Sequence, residues 1–113
     1  MFKTLVAKGD KPGPVVMCIP VDKELDLKKA ASATGNKKLE MVHVKDLLGL
    51  TGYIRGGCSP VGMKKKFPTF INDTCRNHEK ITVSAGIKGC QLLLGTSELV
   101  AYTEAKICDL TKD

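Results

Sequence analysis

The chain contains no tryptophan, only two tyrosines and three phenylalanines among its 113 residues. So few flat rings argue against the aromatic platforms on which proteins stack single-stranded bases. Arginine is also scarce. Arg55 and Arg76 are the two present, so the eighteen basic residues include sixteen lysines. No apolar run approaches the roughly 18 residues of a membrane-spanning helix. The start, MFKTLVAKGD, lacks the charged and then apolar leader of a secreted protein. The five cysteines (18, 58, 75, 90 and 108) form no C-x-x-C pair, and an odd number suits free thiols in a reducing compartment. A single cytoplasmic domain is expected, and no membrane.

Motifs of the common chemistries are missing too. There is no G-x-S-x-G, no phosphate-binding P-loop and no G-x-G-x-x-G. Cys75 and His78 are spaced as half of a zinc site, but no second half follows, so no metal is expected. No residue pattern calls for a cofactor. The charge balance of +6 favours a polyanionic partner, while a solvated lysine surface explains it equally well.

Hydrophobic patterning gives short strands mixed with short helices. FKTLVAK (2–8), VVMCIP (15–20), KLEMV (38–42), FPTFI (67–71), KITVSA (80–85), CQLLLG (90–95) and KICDL (106–110) read as strands. The first helix is LKKAASAT (27–34), capped by Asp26 and stopped at Gly35-Asn36. VKDLLGL (44–50) reads as a second helix. SELVAYTEA (97–105) reads as a third, capped by Thr96 or Ser97. NDTCRN (72–77) reads as a turn or a single helical turn. No strict strand–helix alternation is kept, so the expected fold is α+β, a mixed, curved sheet with helices outside it. Lys3, one step from Phe2, reads from pattern alone as solvent-facing.

Two glycine-rich stretches carry the best chemical signal. Gly56-Gly57-Cys58-Ser59-Pro60 offers backbone amides with little side-chain bulk in the way, and Ser84-Ala85-Gly86-Ile87-Lys88-Gly89 offers a second set. Together they could line a pocket with N–H donors around an oxyanion, or simply be two turns. Cys58 is a conceivable nucleophile, although neither His43 nor His78 can be placed beside it.

GYIRGGCSPVGMKK resembles the signature loop of the YbaK/prolyl-tRNA-synthetase-associated domain family of trans-editing aminoacyl-tRNA deacylases. FKTLVAKGD, ELDLKKAA, KKLEMV and ITVSAGIKG resemble further family segments in the same order, so the likeness covers nearly the whole chain. It is nearest to the bacterial YbaK-type Cys-tRNA(Pro) deacylases. The resemblance implies one editing domain over residues 1–113, with a strongly curved, barrel-like sheet. It also implies that the chain lacks an N-terminal segment many relatives carry. By the same resemblance Lys3 stands at the family's essential, catalytic lysine. Thr4, Gly56, Gly57, Cys58, Ser59, Pro60, Ser84, Gly86 and Gly89 stand around the substrate. Ile87-Lys88 departs from the family's usual pair of basic residues. Arg55, Lys64, Lys65 and Lys66 could reach tRNA phosphates, or be a solvated turn. The implied partners are aminoacyl-tRNA and prolyl-tRNA synthetase. The expected activity is ester cleavage on Cys-tRNA(Pro) assisted by the substrate's own thiol. The alternatives are a member that binds tRNA or the synthetase without catalysis, and a Cys58-dependent thiol enzyme.

Overall fold

Strands β1 (Phe2–Gly9) and β2 (Pro14–Pro20) pair antiparallel from Phe2↔Pro20 to Lys8↔Pro14. The computed structural model to which they belong describes residues 2–9, 14–42, 67–84 and 91–112. β3 (Leu39–Met41) adds antiparallel to the far end of β1, and β4 (Thr69–Asn72) adds parallel to β2. β5 (Lys80–Ser84) and β6 (Gln91–Gly95) form a separate antiparallel ribbon whose first strand lies against β1. β7 (Lys106–Cys108) adds parallel to β4. The main sheet is therefore mixed, in the order β3-β1-β2-β4-β7, and it is not closed into a barrel among the described residues.

The apolar run of β2 is buried along almost its whole length because both faces of the sheet are covered. One face packs Leu5, Ala7, Met17, Ile19 and Phe70 against Ala30 and Ala31 of helix α1 (Leu27–Thr34). The other packs Phe2, Cys18 and Ile71 against Ile81 and Val83 of β5 and Leu99 of helix α2 (Thr96–Thr103). A smaller cluster of Val6 and Val16, with Val42 and Phe67, continues that second face.

Local chemistry sets the ends of α1 as the sequence leads one to expect. The Asp26 carboxylate accepts from the backbone N–H of Lys28 (3.0 Å) and Lys29 (3.1 Å), satisfying two otherwise orphaned donors. Gly35 ends the helix in the left-handed region at φ 76°, which glycine adopts without strain. The chain leaving α1 presses Asn36 against the end of β1, so a Cβ on Gly9 would overlap the Asn36 side chain.

The start of α2 departs from expectation. Gly95 holds the cap position, and neither Thr96 nor Ser97 caps through its side chain. Thr96 is used instead to tie the helix to the lead-in of β5. Its hydroxyl donates to the His78 carbonyl (2.7 Å) and its N–H to the Glu79 carbonyl (2.9 Å). The segment 72–77 is a short 3₁₀ turn over Asp73–Asn77. The helix expected over 44–50 lies outside the described residues.

The last strand is shorter than its apolar pattern because the chain turns at Asp109 to lock onto the segment before α1. Leu110 is fully buried, its carbonyl accepts from the Asp26 N–H (2.8 Å), and Leu25 bridges Thr111. The Leu110 N–H donates to Oδ1 of the fully buried Asn72, whose Nδ2 donates to the Thr74 hydroxyl (both within 2.9 Å). Asn72→Ala would orphan that buried N–H. The expected result is a loss of about 2–3 kcal/mol in urea unfolding, and a wild-type midpoint would refute the bond's role.

Cys18, Cys75 and Cys108 carry thiols rather than disulfides, and they help fill the interior. Burial pushes the Cys75 thiol above its ordinary pKa of 9.0, with Arg76 opposing and Asp73 reinforcing the shift. Burial, then Asp73 and Asp109, raise Cys108 likewise. In both cases the folded state keeps its proton after the unfolded state has lost it. Stability is thus fully present below pH 9 and falls as pH rises through the raised values. A thermal midpoint that declines above pH 9 is expected, with a shallower decline in Cys75→Ala/Cys108→Ala. Equal slopes in the two proteins would show that these thiols are not responsible.

Candidate active site

Of the residues that the resemblance places around a substrate, Lys3, Thr4 and Ser84 are described. Arg55, Gly56, Gly57, Cys58, Ser59, Pro60, Lys64, Lys65, Lys66, Gly86 and Gly89 lie outside the described residues. The described part is the frame on which those loops hang.

Strand alternation sends Lys3 and Thr4 to opposite faces. Lys3 pairs with Ile19 and belongs to the face of Leu5 and Ala7, above α1. It is half-buried rather than openly solvent-facing. The cause is that Phe2 and Leu5, three residues apart, bury on different faces, so β1 has no wholly wet side. Thr4 pairs with Cys18, and its hydroxyl lies 3.7 Å from the Cys18 sulfur, on the face shared with β5.

Ser84 ends β5 opposite Gln91. Because Ile81 and Val83 enter the second core cluster, Ser84 turns away from it. Lys3 turns away from that cluster as well, and β1 and β5 are neighbours. The fold therefore supplies a half-buried ammonium on the α1 face of β1 and a half-buried hydroxyl on β5, from strands of separate sheets that are in contact, while Thr4 is directed into the second core. An ammonium can hold an anion or an ester oxygen as a point charge, and a hydroxyl can both donate and accept.

The described cysteines are poor nucleophiles. Cys18 and Cys75 are sealed in the second cluster, and the raised pKa of Cys75 and Cys108 works against the reactive thiolate. Cys75 and His78 do not converge either: Cys75 is buried and His78 is exposed. Among the described residues, no three His, Cys, Asp or Glu side chains gather as metal ligands. No helix among them is long and apolar enough to cross a membrane.

On the outward side of the β5–β6 ribbon, patterning singled out Ser84 and no other residue. Beside Ser84 that side carries Thr82, Lys80 and the exposed Leu93, read only as strand residues because a lone Lys or Leu in a short strand carries no motif.

Comparison with known proteins bears on what such a frame does. Residues 1–102 match the family described as the aminoacyl-tRNA editing domain. A candidate Cys-tRNA(Pro)/Cys-tRNA(Cys) deacylase, EbsC, from Enterococcus faecalis (strain ATCC 700802 / V583) is 52% identical over 111 residues. The alignment covers 98% of this chain and 68% of EbsC. The crystal structure of a candidate trans-editing enzyme for prolyl-tRNA synthetase superposes with a TM-score of 0.90 at 27% identity, over 99% of this chain and 70% of that one. The hypothetical protein APE2540 shares the fold with a TM-score of 0.90 at 24% identity, over 99% of this chain and 74% of its own. With a family match over nearly its full length and half its residues identical to such a relative, the chain belongs to the aminoacyl-tRNA editing domain family.

Proposed function

We propose that the chain is a trans-editing aminoacyl-tRNA deacylase that removes cysteine from mischarged tRNA(Pro), in the cytoplasm and beside prolyl-tRNA synthetase. The observation that carries this is the 52% identity, across 98% of the chain, to a protein named for that substrate.

The chemistry asks little of the protein. An aminoacyl ester is already activated, and the esterified cysteine brings a thiol of pKa about 8.5, part of it ionised at neutral pH. The thiolate sulfur attacks the ester carbonyl carbon. The tetrahedral intermediate then collapses and expels the 3′ oxygen of the terminal ribose, which takes up a proton. Cysteine departs as a cyclic thioester that water opens. The protein has to position the ester and stabilise the oxyanion.

In this scheme Lys3 holds the ester oxygen or the adjacent phosphate. Ser84 and the glycine loops of Gly56–Pro60 and Gly86–Gly89 donate to the substrate, and Arg55 and Lys64–Lys66 meet tRNA phosphates. A narrow pocket lined by backbone admits cysteine and excludes larger side chains. The contact between β1 and β5, the strands that carry Lys3 and Ser84, supports the scheme. The raised pKa values of Cys75 and Cys108 also fit a scheme in which the reactive sulfur comes from the substrate.

Single-turnover deacylation of Cys-tRNA(Pro) by Lys3→Ala is expected to fall ~10²-fold or more, the scale for one oriented electrostatic contact. Lys3→Arg should recover only part of the loss, because a planar fork replaces a point charge. The thermal midpoint should change little. Unchanged turnover in Lys3→Ala would remove the residue from the mechanism, and a collapsed midpoint would make its role structural.

A further inference from the structure

The outward side of the β5–β6 ribbon presents three cross-strand rows on one face, Ser84 with Gln91, Thr82 with Leu93, and Lys80 with Gly95. The opposite face is the one that packs: Ile81, Val83 and Leu94 all join the second core cluster. Leu93 is not needed there, and it is 64% exposed. Lys80 and Gln91 are exposed as well, and Lys80 makes no ion pair among the described residues. Gly95 leaves the space opposite Lys80 without a side chain. One acidic group borders that row, the Glu98 carboxylate, with Oε1 3.2 Å from where a Gly95 Cβ would stand.

Alternate residues of a strand are ~6.6 Å apart on one face. From Ser84 to Lys80 is therefore ~13 Å, with a hydroxyl and an exposed leucine between them. The end of an aminoacyl-tRNA offers a matching series: the ester on the last ribose, a flat apolar base, and then a phosphate. We propose that the unpaired 3′ end of the aminoacyl-tRNA runs along this face, with a terminal base against Leu93 and a backbone phosphate at Lys80. The proposal rests on the reading of Ser84 as part of the ester pocket. A polyanion is favoured over an apolar protein surface because the exposed leucine is followed by a lysine with no ion-pair partner, on a chain of net charge +6. The exposed Leu93 side chain also gives a base an apolar surface to lie against.

The test uses Lys80→Ala/Leu93→Ser in the full chain. Both positions are exposed, so the thermal midpoint should hold. Binding of a fluorescein-labelled, uncharged acceptor-stem minihelix of tRNA(Pro) is read by anisotropy against salt. Turnover is read on Cys-tRNA(Pro) and on cysteine ethyl ester, which has no nucleotide. The expected result is minihelix binding weakened about 10-fold, with the log–log salt slope reduced by about 1, the share of one phosphate contact. KM on Cys-tRNA(Pro) should rise with kcat nearly kept, and turnover of the ethyl ester should not change. Glu98→Gln should tighten the minihelix. Wild-type affinity and salt slope in the double variant would overturn the proposal. So would a parent protein that does not bind the minihelix, or a variant altered only in oligomeric state, which would give the face to a second copy of the chain. A parent that binds the minihelix but cleaves neither ester would sink the deacylase reading alone, and the binding series would still decide the track.

Discussion

Strand β1 is packed on both faces along most of its length, and the remaining architecture follows from that constraint. Phe2 and Val6 face the β5 side while Leu5 and Ala7 face α1, so each neighbouring layer is fixed against the same eight-residue strand. Burial of this kind contributes about 25 cal/mol per Å² of apolar area, and it makes the register of β1 costly to shift. A slip by one residue would exchange Lys3 with a core position. Register therefore fixes where the Lys3 ammonium sits.

The C-terminal segment completes the α1 side. Lys29, on α1, donates to the Thr111 carbonyl at 2.9 Å and lies 3.1 Å from the Asp109 carboxylate. Asp109 is more than half exposed, so the ion pair contributes little and the geometry of the turn matters more. Asn72, from the middle of the sheet, instead holds the Leu110 backbone in the dry interior, where a hydrogen bond cannot be exchanged for water. The sheet and α1 are thereby tied through one buried amide.

How much of this can be read from residues alone varies with the range of the interaction that decides it. The ends of α1 were legible because Asp26 and Gly35 act on their own neighbours. The cap of α2 was not, since Thr96 is drawn away by the His78 carbonyl, eighteen positions earlier in the chain. Pattern alone read Lys3 as solvent-facing because it stands one step from Phe2, whereas the fold covers both faces of the strand and leaves Lys3 half-buried. Separation of Thr4 from Lys3 follows from alternation, but only once it is known that both sides of the sheet are occupied. The glycine loops lie outside the described residues, and Ser84 is the point where one of them joins the described frame.

The proposed function calls for a catalyst that positions and polarises an ester and leaves the nucleophile to its substrate. The most direct measurement compares single-turnover cleavage of one tRNA(Pro) charged either with cysteine or with serine. These differ by sulfur against oxygen at nearly the same size, so pocket fit is held almost constant. If the substrate's thiol is the nucleophile, the cysteinyl ester is cleaved and the seryl ester decays at the uncatalysed rate. Equal rates for the two esters would contradict the account and require a nucleophile from the protein or from water.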